Sequence, residues 1–120
     1  MIEEVRFNLD GLVPVIAQDA HDGTILMLAW ANKEALEETL RTGFGTYFSR
    51  SRQKFWRKGE ESGNRQKIFE MLRDCDGHSV SYKVEQKGNI ACHTGHRSCF
   101  YRSWDGKDFK ENAPVLKSPE

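Results

Sequence analysis

Cys75, Cys92 and Cys99 are the only cysteines in this 120-residue chain, and Asp74, Asp76, His78, His93, His96 and Arg97 crowd around them in sequence. Two readings compete. Isolated cysteines pack well as small buried hydrophobes. Three thiolates also meet the ligand count of a catalytic zinc, which keeps a fourth position open for water. The spacings, 17 residues from Cys75 to Cys92 and seven from Cys92 to Cys99, contain no Cys-x-x-Cys knuckle. An odd number of cysteines does not close a disulfide framework. The polar company of these thiols favours ligation over burial.

Asp74-Cys75-Asp76-Gly77-His78 is the second cluster. On an extended strand, side chains alternate between faces. Asp74 and Asp76 then share one face, and His78 joins them if the strand runs past Gly77. Such a face offers hard oxygen ligands to Mg²⁺, while Cys75 on the other face suits a softer ion such as Zn²⁺. An acidic turn ahead of a strand explains the same residues, because Asp and Gly are common turn formers.

The third cluster runs from Ser49 to Lys58. Five of its ten residues are basic and none is acidic. Arginine offers a fork of donors to phosphate oxygens, so Ser49, Arg50, Ser51, Arg52 and Lys58 are candidate phosphate ligands. Trp56 can stack on a base. The following Gly59 to Asn64 loop adds Ser62, Asn64 and backbone amides able to cradle an anion. A charged strand facing water, or a nucleic-acid surface, would have the same composition. The fourth cluster, Ala91 to Cys99, places His93 beside a thiol as a candidate proton shuttle. His93 and His96 are its catalytic candidates, and His96 and Arg97 can also bind an anion.

The elements that must position these residues follow from pattern. Residues 12–18 and 24–30 read as two strands around an Asp22-Gly23 turn, with Pro14 marking an edge or a strand start. Asn32 is a good N-cap. Ala35, Leu36, Thr39 and Leu40 then form an apolar stripe, Glu37 and Arg41 an i,i+4 pair, and Gly43 a C-terminal stop. The helix spans about 32–42. Residues 45–49, 66–74, 79–86 and 98–104 read as further strands. Val80, Tyr82 and Val84 alternate with polar residues as in a half-buried strand. Residues 1–104 form one domain, and 105–120 read as a loosely held polar tail. The fold class is α+β, a mostly antiparallel sheet with one main helix.

Composition agrees with a single soluble domain: 38% hydrophobic and 30% charged residues. The longest apolar run, Ile25 to Ala31, is seven residues, far below the about 20 that span a bilayer. No membrane association is expected. The acidic start, Met1-Ile2-Glu3-Glu4, carries no apolar leader segment, so a reducing cytoplasm is expected. The net charge of zero conceals an asymmetry. Residues 1–48 carry three basic and eight acidic side chains, a balance of −5, and residues 49–120 carry 15 and 10, a balance of +5. A local anion site fits this better than a generally basic surface.

Four strings taken together resemble the phosphoribosyl-AMP cyclohydrolase family: Ser-Arg-Ser-Arg-Gln (49–53), Trp-Arg-Lys-Gly-Glu-Glu-Ser-Gly-Asn (56–64), Asp-Cys-Asp-Gly (74–77) and Ala-Cys-His-Thr-Gly-His-Arg-Ser-Cys-Phe (91–100). The stretch Gly11 to Leu40 is similar too, so the resemblance covers roughly residues 7–102. It implies the third step of histidine biosynthesis, in which water attacks C6 of the adenine ring of N1-(5-phosphoribosyl)-AMP and the N1–C6 bond opens. It also implies an intertwined homodimer needing Zn²⁺ and Mg²⁺. The zinc cysteines would be Cys75, Cys92 and Cys99, shared between subunits. The family's Asp-x-Asp-x-Asp magnesium pattern becomes Asp74, Asp76 and His78, a departure, since imidazole is a softer ligand than carboxylate. The His-x-Glu and Pro-Cys-x-x-Cys signature of zinc base deaminases is absent. A substrate with two phosphates would account for the basic cluster, with no nucleic-acid partner required. The competing classes are a zinc-stabilised nucleic-acid module and a structural zinc protein whose fourth ligand is His93 or His96.

Overall fold

The computed structural model describes residues 2–117. Its centre is a six-stranded sheet. The strands are β1 (Val13–Asp19), β2 (Ile25–Ala31), β3 (Thr46–Ser49), β4 (Lys54–Arg57), β5 (Gln66–Arg73) and β6 (Val80–Gln86), in the order β4-β3-β2-β1-β6-β5. All neighbours are antiparallel except β1 and β6, which run parallel. The sheet curls. β2 and β3 pair in register at Trp30 and Phe48, and the chain before β3 swings across to β5, where Gly45 N–H reaches the Gln66 carbonyl and Ile68 N–H reaches the Gly43 carbonyl. The sheet thus closes on itself almost as a barrel.

The interior is filled by alternate residues, as a period of two requires. Val13, Val15 and Ala17 of β1 and Val80, Tyr82 and Val84 of β6 are buried, with intervening residues half-exposed. The one α-helix among the described residues, α1 (Lys33–Thr42), plugs one end with Ala35, Leu36 and Thr39. Asn32 caps it by accepting the Ala35 N–H, and Gly43 ends it at φ +80°. Thr39 ties helix to sheet. Its hydroxyl accepts the Thr46 N–H at 2.9 Å and contacts the Tyr82 hydroxyl at 3.2 Å. Among the described residues no helix is long and apolar enough to cross a membrane.

Several local expectations are corrected. The β1–β2 connection is a five-residue loop, 20–24, not a tight two-residue turn. Asp19 organises it by accepting the N–H groups of His21 and Asp22. Pro14 lies in a central strand, at its second residue, before pairing with β6 begins at Val15; the strand-start alternative for Pro14 therefore holds. Strand β2 is only half buried, with Ile25 and Leu28 exposed. Leu40 leaves the helix's buried stripe and is exposed. Arg41 pairs with Glu38 rather than Glu37, and Glu38 also receives Arg57 of β4 at 2.7 Å. The charged-strand reading of the basic string holds for β4, though Phe55 and Trp56 within it are half-buried. The segment after Asp105 does not trail free: β7 (Arg102–Trp104) and β8 (Phe109–Glu111) form a hairpin, and Leu116 N–H returns to the Gly95 carbonyl.

Candidate functional site

The Ala91–Cys99 segment folds into a tight, heavily anchored loop. A turn closes Cys92 to Gly95, and Cys92 N–H and Ala91 N–H bond the carbonyls of His96 and Arg97. Ser98 hydroxyl and Cys99 N–H reach the Ile25 and Leu26 carbonyls of β2 at 2.6 and 2.7 Å. They use the stretch of β2 that β3 leaves unpaired. Arg97 fixes the other side. Its guanidinium donates to Asn89, Thr24 and Asp22, each at 2.9 Å, and lies 3.7 Å from Asp19. Asp22 and Asp19 of its own chain are thus the carboxylates nearest its guanidinium.

This anchoring brings two of the three thiols together. The Cys92 and Cys99 side chains lie close enough to shift one another, Cys92 downward and Cys99 upward. Thr94 adds its hydroxyl to the Cys92 sulfur at 3.1 Å. Burial pushes the Cys92 thiol up, but the Thr94 hydroxyl and N–H, Cys99 and the Lys58 charge outweigh it and hold it below the usual cysteine value. Burial and the Cys92 neighbour push Cys99 up to about 12. The two thiols are thus set apart, Cys92 shifted toward its ionised form and Cys99 toward its neutral form.

His93 is exposed at the tip of the turn, next to Cys92. His96 is placed differently. Its ring is buried, stacked on Tyr101 at 3.5 Å with an interplanar angle of 8°. Its Nδ1 lies 2.7 Å from the Thr94 hydroxyl. That hydroxyl has one proton and spends it on the Cys92 sulfur, so the hydrogen-bond network assigns the donor role to His96 Nδ1–H. His96 Nε2 then carries the lone pair, and it is buried without a partner among the described residues.

Cys75 is not part of this group. The 74–78 segment is a turn between β5 and β6, not a strand, so the expected alternation does not apply. Asp74 closes the turn by accepting the His78 N–H and the Ser79 hydroxyl, both at 2.8 Å. The Ser79 bond and then the backbone N–H groups hold Asp74 below the usual carboxylate range. Cys75, Asp76 and His78 are exposed and line an open cleft of about 500 Å³ with Glu3, Glu4, Arg6 and Arg73. The two glutamates and Arg6 were not singled out in the sequence; only packing brings the N-terminus here, where Arg6 N–H meets the Gly77 carbonyl. No group of three metal-ligating side chains forms among the described residues.

The basic string divides. Arg50 and Arg52 occupy the four-residue turn between β3 and β4, where Ser49 hydroxyl lies 3.3 Å from Ser51 hydroxyl and accepts the Arg52 N–H. Arg50 lies over the Trp30 ring at 4.7 Å and shares a wide cleft of about 510 Å³ with Trp30, Phe48, Ser49 and Ser51. Trp56 faces inward and packs on Tyr47 at 5.1 Å, so its expected stacking face is partly spent on the core. Lys58 also turns inward, and its ammonium donates to the Ala91 carbonyl. Ser62 and Asn64 close the next loop on themselves through Asn64 N–H to Ser62 hydroxyl. Beneath them runs a buried chain that sequence reading missed: Tyr47 hydroxyl donates to Gln66, Gln66 to Gln86, and Gln86 to the Asn64 carbonyl. Glutamines scattered at positions 66 and 86 carry no local signal of such a network.

Comparison with known proteins is consistent throughout. A family model described as phosphoribosyl-AMP cyclohydrolase matches residues 27–101. Curated relatives of that name include one from Bordetella avium, 55% identical over 98% of this chain and 90% of the relative. Another, from Thiobacillus denitrificans, is 55% identical over 99% and 93%. A third, from Methylococcus capsulatus, is 53% identical over 99% and 93%.

Proposed function

The chain belongs to the phosphoribosyl-AMP cyclohydrolase family, and from that membership we propose that it hydrolyses the N1–C6 bond of N1-(5-phosphoribosyl)-AMP, the ring-opening step of histidine biosynthesis. The observation that carries the site assignment is the Cys92–Cys99 pair, fixed by Arg97, Ser98 and β2 and supplied with a hydroxyl donor by Thr94.

The donor chemistry of that pair fits zinc: two neighbouring soft sulfurs, one of which already accepts a hydrogen bond from the Thr94 hydroxyl. Cys92 and Cys99 would hold the ion, with Cys75 as the third ligand. Cys75 stands outside the pair in its own chain, which supports a site completed by Cys75 of a second copy and hence a homodimer. Zinc, when bound, supplies the Lewis acidity that makes water a nucleophile near neutral pH. Asp76 and Asp74, with His78, are the oxygen-rich candidates for Mg²⁺; Asp74 already serves its own turn, so Asp76 is the stronger donor.

The chain's other residues have distinct tasks. Arg50 and Arg52, with Ser49 and Ser51, bind a substrate phosphate through charge-assisted hydrogen bonds. His93, exposed beside Cys92, moves a proton at the reacting edge of the purine. His96 is buried under Tyr101 and serves to orient Thr94 toward the sulfur. A nucleic-acid surface is disfavoured. Of five basic residues in the string, Arg57 is paired with Glu38 and Lys58 points inward. Free thiols suit a reducing cytoplasm.

The test is turnover of N1-(5-phosphoribosyl)-AMP before and after zinc chelation. Loss of ring opening on chelation and recovery on adding Zn²⁺ supports the reading. Undiminished turnover by a zinc-free protein contradicts the zinc assignment, and no turnover under any metal condition contradicts the activity.

A further inference from the structure

Lys58 lies at the wrong end of its hairpin to share a phosphate with Arg50 and Arg52. Those arginines sit in the turn that joins β3 to β4, whereas Lys58 follows the last residue of β4 and bonds Gly45 through its N–H. Four strand residues at about 3.3 Å each separate them by roughly 13 Å. Strand alternation puts Lys58 on the same side as Trp56, which faces Tyr47 in the interior. The ammonium group lies 6.0 Å above the Trp56 ring and donates to the carbonyl of Ala91, the residue before Cys92. Its charge acts on both Cys92 and Cys99. Half-buried lysines need a reason for their position, and the Cys99 and Cys92 sulfurs favour the charged form of this one.

We propose that Lys58 is a positioning residue of the cysteine pair: its ammonium pins the Ala91–Cys92 backbone and balances the negative charge of the Cys92 and Cys99 sulfurs, and it is not a phosphate ligand. The inference rests on the reading that Cys92 and Cys99 hold zinc. Three thiolates on a dication leave one excess negative charge, which weakens the ion as a Lewis acid. One fixed ammonium in the same half-buried corner restores neutrality. Partners one layer behind the ligands of a metal typically govern its affinity by about 10- to 100-fold.

The experiment measures zinc affinity of the intact protein by competition with a chromophoric chelator, alongside KM for substrate at saturating zinc. Lys58→Met keeps the apolar stem over Trp56 and removes charge and hydrogen bond together. Lys58→Gln retains a donor for the Ala91 carbonyl and removes only the charge. Lys58→Arg retains the charge. We expect zinc affinity to fall about 10- to 100-fold in Lys58→Met, to fall also in Lys58→Gln, and to recover most of the way in Lys58→Arg, with KM within about twofold of wild type throughout. The sulfur-to-metal charge-transfer band of the Co²⁺-loaded variants should retain wild-type intensity at saturation, showing the same thiolates bound. Unchanged zinc affinity in both neutral variants overturns the proposal. So does a tenfold rise in KM with zinc affinity intact, which returns Lys58 to the phosphates. Cys92→Ser separates the two levels of the argument. If that variant binds zinc as wild type does, the zinc reading itself fails, whatever Lys58 does.

Discussion

The loop of residues 91–99 and the turn of residues 74–78 each carry cysteine, histidine and charged side chains, yet they are built in opposite ways. The loop is held from every side. Arg97 ties it to the β1–β2 connection, Ser98 and Cys99 to β2, and Lys58 to β4. The C-terminal segment closes over Gly95, where a Cβ would lie 1.8 Å from the Lys117 carbonyl oxygen. The 74–78 turn has fewer anchors, Asp74 within it and Arg6 N–H and Arg73 on its carbonyls, and presents Cys75, Asp76 and His78 to solvent. A ligand pair that must be preorganised is bought with many backbone contacts. Ligands that complete a site from outside need only a stable turn and free side chains.

The largest expected effect removes one thiol from either region. Cys92→Ser and Cys75→Ser should both reduce ring opening to background, measured with bound zinc by elemental analysis. The comparison predicts a difference in stability. Cys75 is exposed within its own chain, so in the metal-free protein its loss should leave Tm unchanged, while replacing the buried Cys92 should lower it. Equal losses of Tm would erase the distinction between the two regions.

Arginine substitutions come next. Arg50→Ala or Arg52→Ala removes charge-assisted bonds of roughly 1.5–3 kcal/mol, about 10- to 150-fold in kcat/KM, and the loss should lie mainly in KM. Arg97→Ala should leave KM near wild type and instead weaken zinc binding, because the guanidinium anchors the loop rather than touching substrate. A KM effect in Arg97→Ala as large as in Arg50→Ala would put Arg97 back among the substrate ligands.

A smaller effect isolates the closing of the tail over the loop. Gly95 has φ +88° and almost no clearance, so Gly95→Ala should cost about 1–3 kcal/mol and speed proteolysis after residue 111. Gly63 has a similar φ of +83° but nothing within 4 Å. Gly63→Ala therefore reports backbone strain alone, and thermal unfolding of both variants gives the contribution of the contact by difference.

The smallest effect is in acid. Hydrogen bonds from the Thr24 N–H and hydroxyl, with help from Asp19 and Arg97, hold Asp22 down at about 2. A carboxylate depressed on folding stabilises above its ordinary value of 3.8 and loses that contribution as pH falls toward about 2. Tm of wild type should therefore drop between these pH values more than Tm of Asp22→Asn. Asp74, also depressed, adds a loss of the same sign from the other region, so Asp74→Asn should flatten the same part of the curve.

Much of this was legible in the sequence. Strands β1 and β2 follow from apolar runs around a turn signal, β6 from alternation, and the helix from Asn32 and Gly43. Strand β4 was legible only as a charged strand, because Phe55 and Trp56 sit inside a run of charge. The parallel pairing of β1 with β6 joins segments 65 residues apart, beyond the reach of any local pattern. The chemistry-bearing residue types were visible, but their directions were not. Lys58 and Arg97 look like anion ligands until packing aims one at a carbonyl beside two sulfurs and the other at two aspartates. His96 looks like His93 until Tyr101 covers it.

In the proposed assembly an active site combines Cys92 and Cys99 of one chain with Cys75 of another. Subunit complementation tests it most directly. Cys75→Ser and Cys92→Ser proteins, each inactive, are unfolded and refolded together in equal amounts. If the site is shared across a two-fold interface, half the dimers are mixed and each of these holds one intact site, so about one quarter of wild-type activity should return. If all three thiols act within one chain, no mixture contains an intact site, and activity that stays at background would contradict the account.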